Sequence, residues 1–173
     1  MLITIGQKRP PADDLGGLLL GCHERIRSFV ALARAAAEQV DLPDAEVVEA
    51  CSRAERYFIE ALPLHVSDEE ESIFPRLRGR SPDVDRALQG MHEQHINHQP
   101  KLRALLDALS ALRQSPRDAP QRAELIVAAN ALRNDFTEHL LLEETVVFPA
   151  IPRLLPAVMQ AEIVEEIRAR RRR

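Results

Sequence analysis

His65-Val66-Ser67-Asp68-Glu69-Glu70-Glu71-Ser72-Ile73-Phe74-Pro75 and His139-Leu140-Leu141-Leu142-Glu143-Glu144-Thr145-Val146-Val147-Phe148-Pro149 are two copies of one pattern, His-x-x-x-Glu-Glu-x-x-x-Phe-Pro. On an α-helix, residues four apart lie on one face, one turn from each other. Each copy therefore sets an imidazole beside a carboxylate, and two such helices face to face can hold two metal ions. The second copy resists a surface reading. Leu140, Leu141 and Leu142 surround the His139–Glu143 pair and Val146, Val147 and Phe148 follow it, so this stretch is apolar nearly all round and Glu143 has little access to solvent.

The repeat belongs to a larger duplication. His23 precedes His65 by 42 residues and His95 precedes His139 by 44. A pair of helices thus recurs as a second pair, with a candidate site on the pseudo-twofold axis between them. The breakers set the helix bounds. Asp13 or Asp14 caps a first helix that runs to about Val40 and is ended by Asp41-Leu42-Pro43-Asp44. Its stripe is Leu15, Leu19, Ile26, Val30 and Ala33, with His23 in line. A second helix spans about Asp44 to Leu77, with a kink expected at Pro63. A third spans about Asp83 to Arg113, with another kink expected at Pro100, and a fourth about Ala119 to Phe148. A short amphipathic helix from Ala157 to about Arg170 follows, with Val158, Ile163 and Ile167 as its stripe.

Four long helices joined by short breaks predict an all-α, antiparallel up-down four-helix bundle with a short C-terminal extra helix. The division is residues 1–12 as an irregular N-terminal segment, 13–155 as the bundle, and 156–173 as the C-terminal amphipathic helix and Arg-rich tail. Composition agrees. Of the 173 residues 45% are hydrophobic and 3% aromatic, with no Trp, so the core is built from Ala, Leu, Val and Ile. The net charge of -4 disfavours nucleic acid as a partner. The basic end (Arg168, Arg170 to Arg173) reads as a solvated helix terminus, where positive charge complements the helix dipole. No stretch has the length of a membrane span or a signal peptide, and Cys22 and Cys51 form no CxxC pair. The expectation is a cytoplasmic protein with reduced, buried thiols.

Imidazole suits Fe, Zn, Cu and Ni, while carboxylates add hard donors able to bridge two cations. Burying those carboxylates without cations is costly. Glu70 and Glu144 repeat too, but lie one position off the His-Glu face and read as supports to the ligands or as surface groups. On the third helix, His92, His95 and His98 follow at three-residue spacing. Aligned on His95, the positions Met91, Leu102 and Leu105 match Leu19, Val30 and Ala33 around His23; aligned on His92, the equivalent of Val30 is polar Gln99. This favours His95, with His92 in its place or beside it as a ligand or donor, and His98 at the periphery. Two rival motifs fail. His92-Glu93-Gln94-His95 is one residue short of HExxH, and no histidine has a Glu three residues before it, as ferritin-like di-iron bundles require.

The doubled motif, with His23 and His95 on the intervening helices, resembles the hemerythrin-like, HHE cation-binding domains of bacteria over about residues 13–155. That resemblance implies a di-iron centre, oxo- or hydroxo-bridged when oxidised, with zinc or manganese as substitutes. It implies His23, His65, His95 and His139 as terminal ligands and Glu69 and Glu143 as bridges, one iron taking His23 and His65 and the other His95 and His139. The chain departs from the oxygen-carrying hemerythrins, which have His-x-x-x-His on the third helix and His followed five residues later by Asp on the fourth. Here Gln99 stands four after His95 and Glu143 four after His139. The implied role is binding or sensing of oxygen, nitric oxide, peroxide or iron status, rather than catalysis. The alternatives are a di-iron redox enzyme or an iron donor for iron-centre repair, and a metal-stabilised helical interaction module. Neither nucleic acid nor a membrane is an expected partner, and the oligomeric state is open.

Overall fold

The computed structural model describes residues 14–172; the expected irregular segment 1–12, Asp13 and Arg173 lie outside them. Among the described residues there are five helices and no strand. They are α1 (Leu15–Glu38), α2 (44–77), α3 (Pro82–Gln114), α4 (119–154) and α5 (Ala157–Arg170). Each of the first four packs on its neighbours in chain order, and α4 closes the ring against α1. This is the expected up-down bundle. α5 lies across one end, against α1, the end of α2 and the end of α4.

Local chemistry accounts for the helix ends. Asp14 accepts a 2.6 Å hydrogen bond from the Gly17 N–H, and Asp118 one of 2.9 Å from the Gln121 N–H, each satisfying a donor that the first turn leaves free. Gly79, at φ 79°, turns the chain between α2 and α3 in a conformation that a Cβ disfavours. The last carbonyls of α1 are capped from a distance, because the buried Arg122 on α4 donates to the carbonyls of Ala36, Ala37 and Gln39 at 3.0–3.2 Å.

Prolines shape the two long helices by widening them. α2 contains π-helical turns at Tyr57–Ala61 and Asp68–Ile73, and α4 contains one at Glu143–Val147. Each ends two residues before a proline, at Ala61 before Leu62-Pro63, Ile73 before Phe74-Pro75 and Val147 before Phe148-Pro149. In each, the N–H of the residue before the proline donates to the carbonyl five back, that of Tyr57, Glu69 or Glu143. Proline has no N–H to donate and its ring collides with the carbonyl four residues earlier. A turn enlarged by one residue accommodates the ring and keeps the helix running. The kink expected at Pro63 is thus a widened turn. α4 likewise continues past its expected end at Phe148, because Pro149 sits in the first turn of the next α-helical segment, Phe148–Leu154. Pro100 stays inside α3, which runs unbroken from Pro82 to Gln114.

Two apolar cores fill the bundle. One, at the end holding the α1–α2 connection, gathers Ile26, Val30, Phe58, Leu105, Leu125, Leu132 and their neighbours. The other, at the α5 end, gathers Leu15, Leu19, Phe74, Leu88, Met91, Ile151 and Ile163. Five histidines and the two repeated Glu lie buried among these aliphatic residues, along with Asp68 and Ser72. In α5, Ile163 and Ile167 are buried as expected. Val158 is exposed and Val164 is buried in its place, so the apolar stripe runs through 163, 164 and 167.

Candidate metal centre

α1 and α2 bring His23, His65 and Glu69 to the bundle axis, and α3 and α4 bring His95, His139 and Glu143. Their ligand atoms fall into two groups. One is His23, His65, Glu69 and Glu143; the other is Glu69, His95, His139 and Glu143, each with its atoms within 4.8 Å of one another. Both carboxylates are common to both groups.

The distances show how they are shared. Glu143 sets Oε2 2.6 Å from Nε2 of His23 and Oε1 2.9 Å from Nε2 of His139. Glu69 sets Oε1 3.1 Å from Nε2 of His65 and Oε2 3.3 Å from Nε2 of His95. Each carboxylate thus offers one oxygen to each half of the molecule. The imidazoles meet edge to face within each half, with ring centres 5.3 Å apart for His23–His65 and 4.8 Å for His95–His139.

Buried without hydrogen-bond partners are both oxygens of Glu69, both of Glu143, and the Nε2 atoms of His23 and His65. Glu143 Oε2 with His23 Nε2, and Glu69 Oε1 with His65 Nε2, approach to 2.6 and 3.1 Å without hydrogen-bond geometry. Glu69 and Glu143 are 1% and 0% exposed, and leaving two such carboxylates unpaired is among the most expensive arrangements in a protein interior. Burial, and then the charge of Glu143, pushes the Glu69 carboxyl well above the usual carboxylate range. Burial raises Glu143 too, but contacts from His139 and His23 outweigh it and hold that carboxyl below the usual range. Burial pushes His65 down to about 3, so it stays neutral and its lone pair is free. Imidazoles and carboxylates in sets of two and two, with both carboxylates shared, fit a pair of divalent transition-metal ions.

The far nitrogens are held from outside. His23 Nδ1 lies 2.7 Å from Oε1 of Glu144, which also accepts a 2.8 Å bond from Arg27. His95 Nδ1 lies 2.8 Å from Oε1 of Glu70, and His139 Nδ1 2.8 Å from Oε1 of Gln94. A metal-binding imidazole is oriented by such a bond, which puts its proton on the nitrogen facing away from the metal. Against burial, the bonds from His95 and His92 hold Glu70 below its ordinary pKa, and those from His23 and Arg27 do the same for Glu144.

His92 lies outside both groups, largely exposed, with Nδ1 3.0 Å from Glu70. His98, expected at the periphery, is buried, its ring packed against Phe136 and His139 with centres 5.2 and 5.1 Å away. Gln94 was not anticipated. It immediately precedes His95, and its amide reaches His139 on the next helix, a pairing that no spacing rule reports. The Arg-rich end also differs from the expected solvated terminus. Arg170 donates at 3.0 Å and Arg171 at 2.6 Å to the two oxygens of Asp68, which is fully buried beside Glu69. Arg76 clamps Glu166 in the same region, further tying α5 to α2. Both cysteines are buried free thiols.

A family model of the hemerythrin HHE cation binding domain matches residues 16–151, and the chain belongs to that family. Among curated proteins none matches the chain. The family and the two His/Glu groups define a metal-binding protein. No helix among the described residues is long and apolar enough to cross a membrane.

Proposed function

We propose that the chain is a di-iron protein that binds or senses a small oxidant or diatomic ligand: oxygen, nitric oxide or peroxide. His23 and His65 hold one iron, His95 and His139 the other, and Glu69 and Glu143 bridge them. The observation that carries this reading is the division of each carboxylate, one oxygen toward each histidine pair. Manganese or zinc fits the same donors; iron is preferred because its pair supplies electrons and an open coordination position to a bound ligand.

A cavity of about 30 Å³ beside the centre supports a small ligand. It is lined by His65, His95, His98 and His139 and walled by Ile26, Leu62 and Phe136. That is room for about two water-sized molecules, and suits a diatomic rather than an organic substrate. This favours binding or sensing over turnover of a larger molecule. Burial lowers the His98 pKa to about 4, so at neutral pH an uncharged imidazole lines the cavity. Glu70 and Glu144 hold the protons of His95 and His23 away from the centre.

The test is anaerobic loading with ferrous iron, metal analysis, and then oxygen, nitric oxide or peroxide, followed by visible absorption. Two irons per chain and a reversible new band are expected. Less than one transition metal per chain would end this reading, and steady turnover of peroxide or oxygen would replace binding with catalysis.

A further inference from the structure

The far nitrogens of His23, His95 and His139 each have a partner, whereas Nδ1 of His65 is buried with none. With its Nε2 facing Glu69, His65 has its other nitrogen left to satisfy. His65 also lines a second cavity, of about 370 Å³, between α1, α2 and α5.

The chemistry of this second cavity differs from that of the first. Arg25 and Arg171 enter it from α1 and from the residue after α5. Both guanidiniums converge on Sγ of Cys22, at 3.2 and 3.7 Å. Among the described residues Arg25 meets no carboxylate, and this thiol is its hydrogen-bond partner. The carboxylate within the cavity is that of Asp68, already engaged by Arg170 and Arg171 together. Arg168 also reaches the wall, paired with Glu165 at 3.0 Å, which leaves Arg25 as the guanidinium there without a carboxylate among the described residues. The phenol of Tyr57 lies in the fields of Arg25 and Arg171, and burial keeps it protonated and able to donate. The remaining wall is aliphatic, including Leu18, Leu64 and Ile167. The volume falls in the range of small-molecule sites, which pair an apolar lining with a few convergent polar groups.

We propose that this cavity is a binding site for a small organic monocarboxylate. Its head group is held by Arg25 and Arg171 and accepts from Nδ1 of His65, and its apolar body lies on Leu18, Leu64 and Tyr57. A guanidinium meets a carboxylate in a two-pronged, charge-assisted bond. A phosphate dianion matches less well, because Asp68 already offsets Arg171 and the wall is largely aliphatic. An occupant of this site touches a histidine of the metal centre from behind, and so reports on the centre without entering the small cavity.

The probe is benzoate, titrated calorimetrically into the metal-loaded chain and into the metal-stripped chain at constant ionic strength, with benzamide and inorganic phosphate as controls. Saturable binding of one benzoate per chain in both forms is expected, with benzamide silent and phosphate unable to displace benzoate. R25Q leaves helicity and metal content unchanged and weakens benzoate at least tenfold; Ala61→Phe, which fills the cavity from α2, does the same. Equal binding of benzamide, tighter binding of phosphate, or wild-type affinity in R25Q would each overturn the site. Benzoate binding that disappears with the metal and ignores both variants would assign the carboxylate to the metal centre instead.

Discussion

Glu70 and His95 join the two halves of the duplication: the second carboxylate of the first motif lies 2.8 Å from the far nitrogen of the α3 histidine. Glu144 and His23 repeat the relationship in reverse, at 2.7 Å. In each motif the first Glu faces the shared centre, while the second orients a histidine of the other half. Either half alone therefore lacks both a complete ligand set and the carboxylate that orients its first histidine.

The two kinds of Glu are expected to fail differently on mutation. Glu143→Ala removes one oxygen from each metal group, and metal content after desalting is expected to fall below one ion per chain. Glu70→Gln and Glu144→Gln keep the ligands but lose the charged acceptor behind His95 and His23, for an expected 10- to 100-fold loss of affinity at full stoichiometry. Metal titration with a competing chelator separates the two. Equal retention in Glu143→Ala and Glu70→Gln would show that the first Glu is no more a ligand than the second.

Without metal, the buried histidines make the fold acid-sensitive. Burial lowers His65 to about 3 and His98 to about 4, against an ordinary value of 6.5. Each binds a proton more readily when unfolded. Their contribution is therefore fully present above pH 6.5 and is lost as pH falls to about 4 for His98 and about 3 for His65. The urea midpoint of the metal-stripped chain is expected to drop across that window, and His98→Gln to flatten the drop. An unchanged slope in His98→Gln would mean that His98 does not carry it.

The clustering of the candidate ligands was legible because its signal is local and doubled. His65 with Glu69 and His139 with Glu143 obey the four-residue rule, and the hydrophobic positions around His23 and His95 superimpose. Gln99 is polar where an alignment on His92 needs a core residue, which favours His95, and His92 lies outside both groups, on Glu70. Less legible was anything decided between helices. Pro63, Pro75 and Pro149 announce a disturbed helix, but whether the helix bends or widens depends on how its neighbours hold it. Gln94 and His98 take their places from the approach of α4 to α3, and Arg170 and Arg171 from the docking of α5. None of these leaves a periodic trace in the chain.

The metal-stripped chain is expected to be more stable when a ligand is removed. Glu69 is fully enclosed and has no cation beside it until metal arrives, so its carboxyl carries a desolvation cost. Glu69→Leu is expected to stabilise the metal-free chain by about 1–2 kcal/mol, as replacing buried charges with apolar groups often does. The same change abolishes the stabilisation by metal, which reaches about 4 kcal/mol at a thousandfold excess over Kd. Thermal unfolding with and without ferrous iron reads both effects. A Glu69→Leu chain less stable than the metal-free wild type would indicate that the carboxylate is already compensated.

The C-terminal helix is expected to depend on charge pairing at one buried point in addition to its apolar face and the Arg76–Glu166 pair. Asp68 is inaccessible to solvent, and Arg170 and Arg171 each take one of its oxygens. Replacing both arginines by Ala leaves a buried carboxylate unpaired, with an expected cost of about 3 kcal/mol. Because Asp68 directly precedes Glu69 in the same π-helical turn, that strain falls on the metal centre, and metal affinity is expected to decline with stability. Asp68→Asn removes the charge, so the same double replacement in that background is expected to cost less than half as much. Equal costs in the two backgrounds, measured by urea denaturation of the metal-stripped chains, would show that the arginines act through packing of their stems rather than through Asp68.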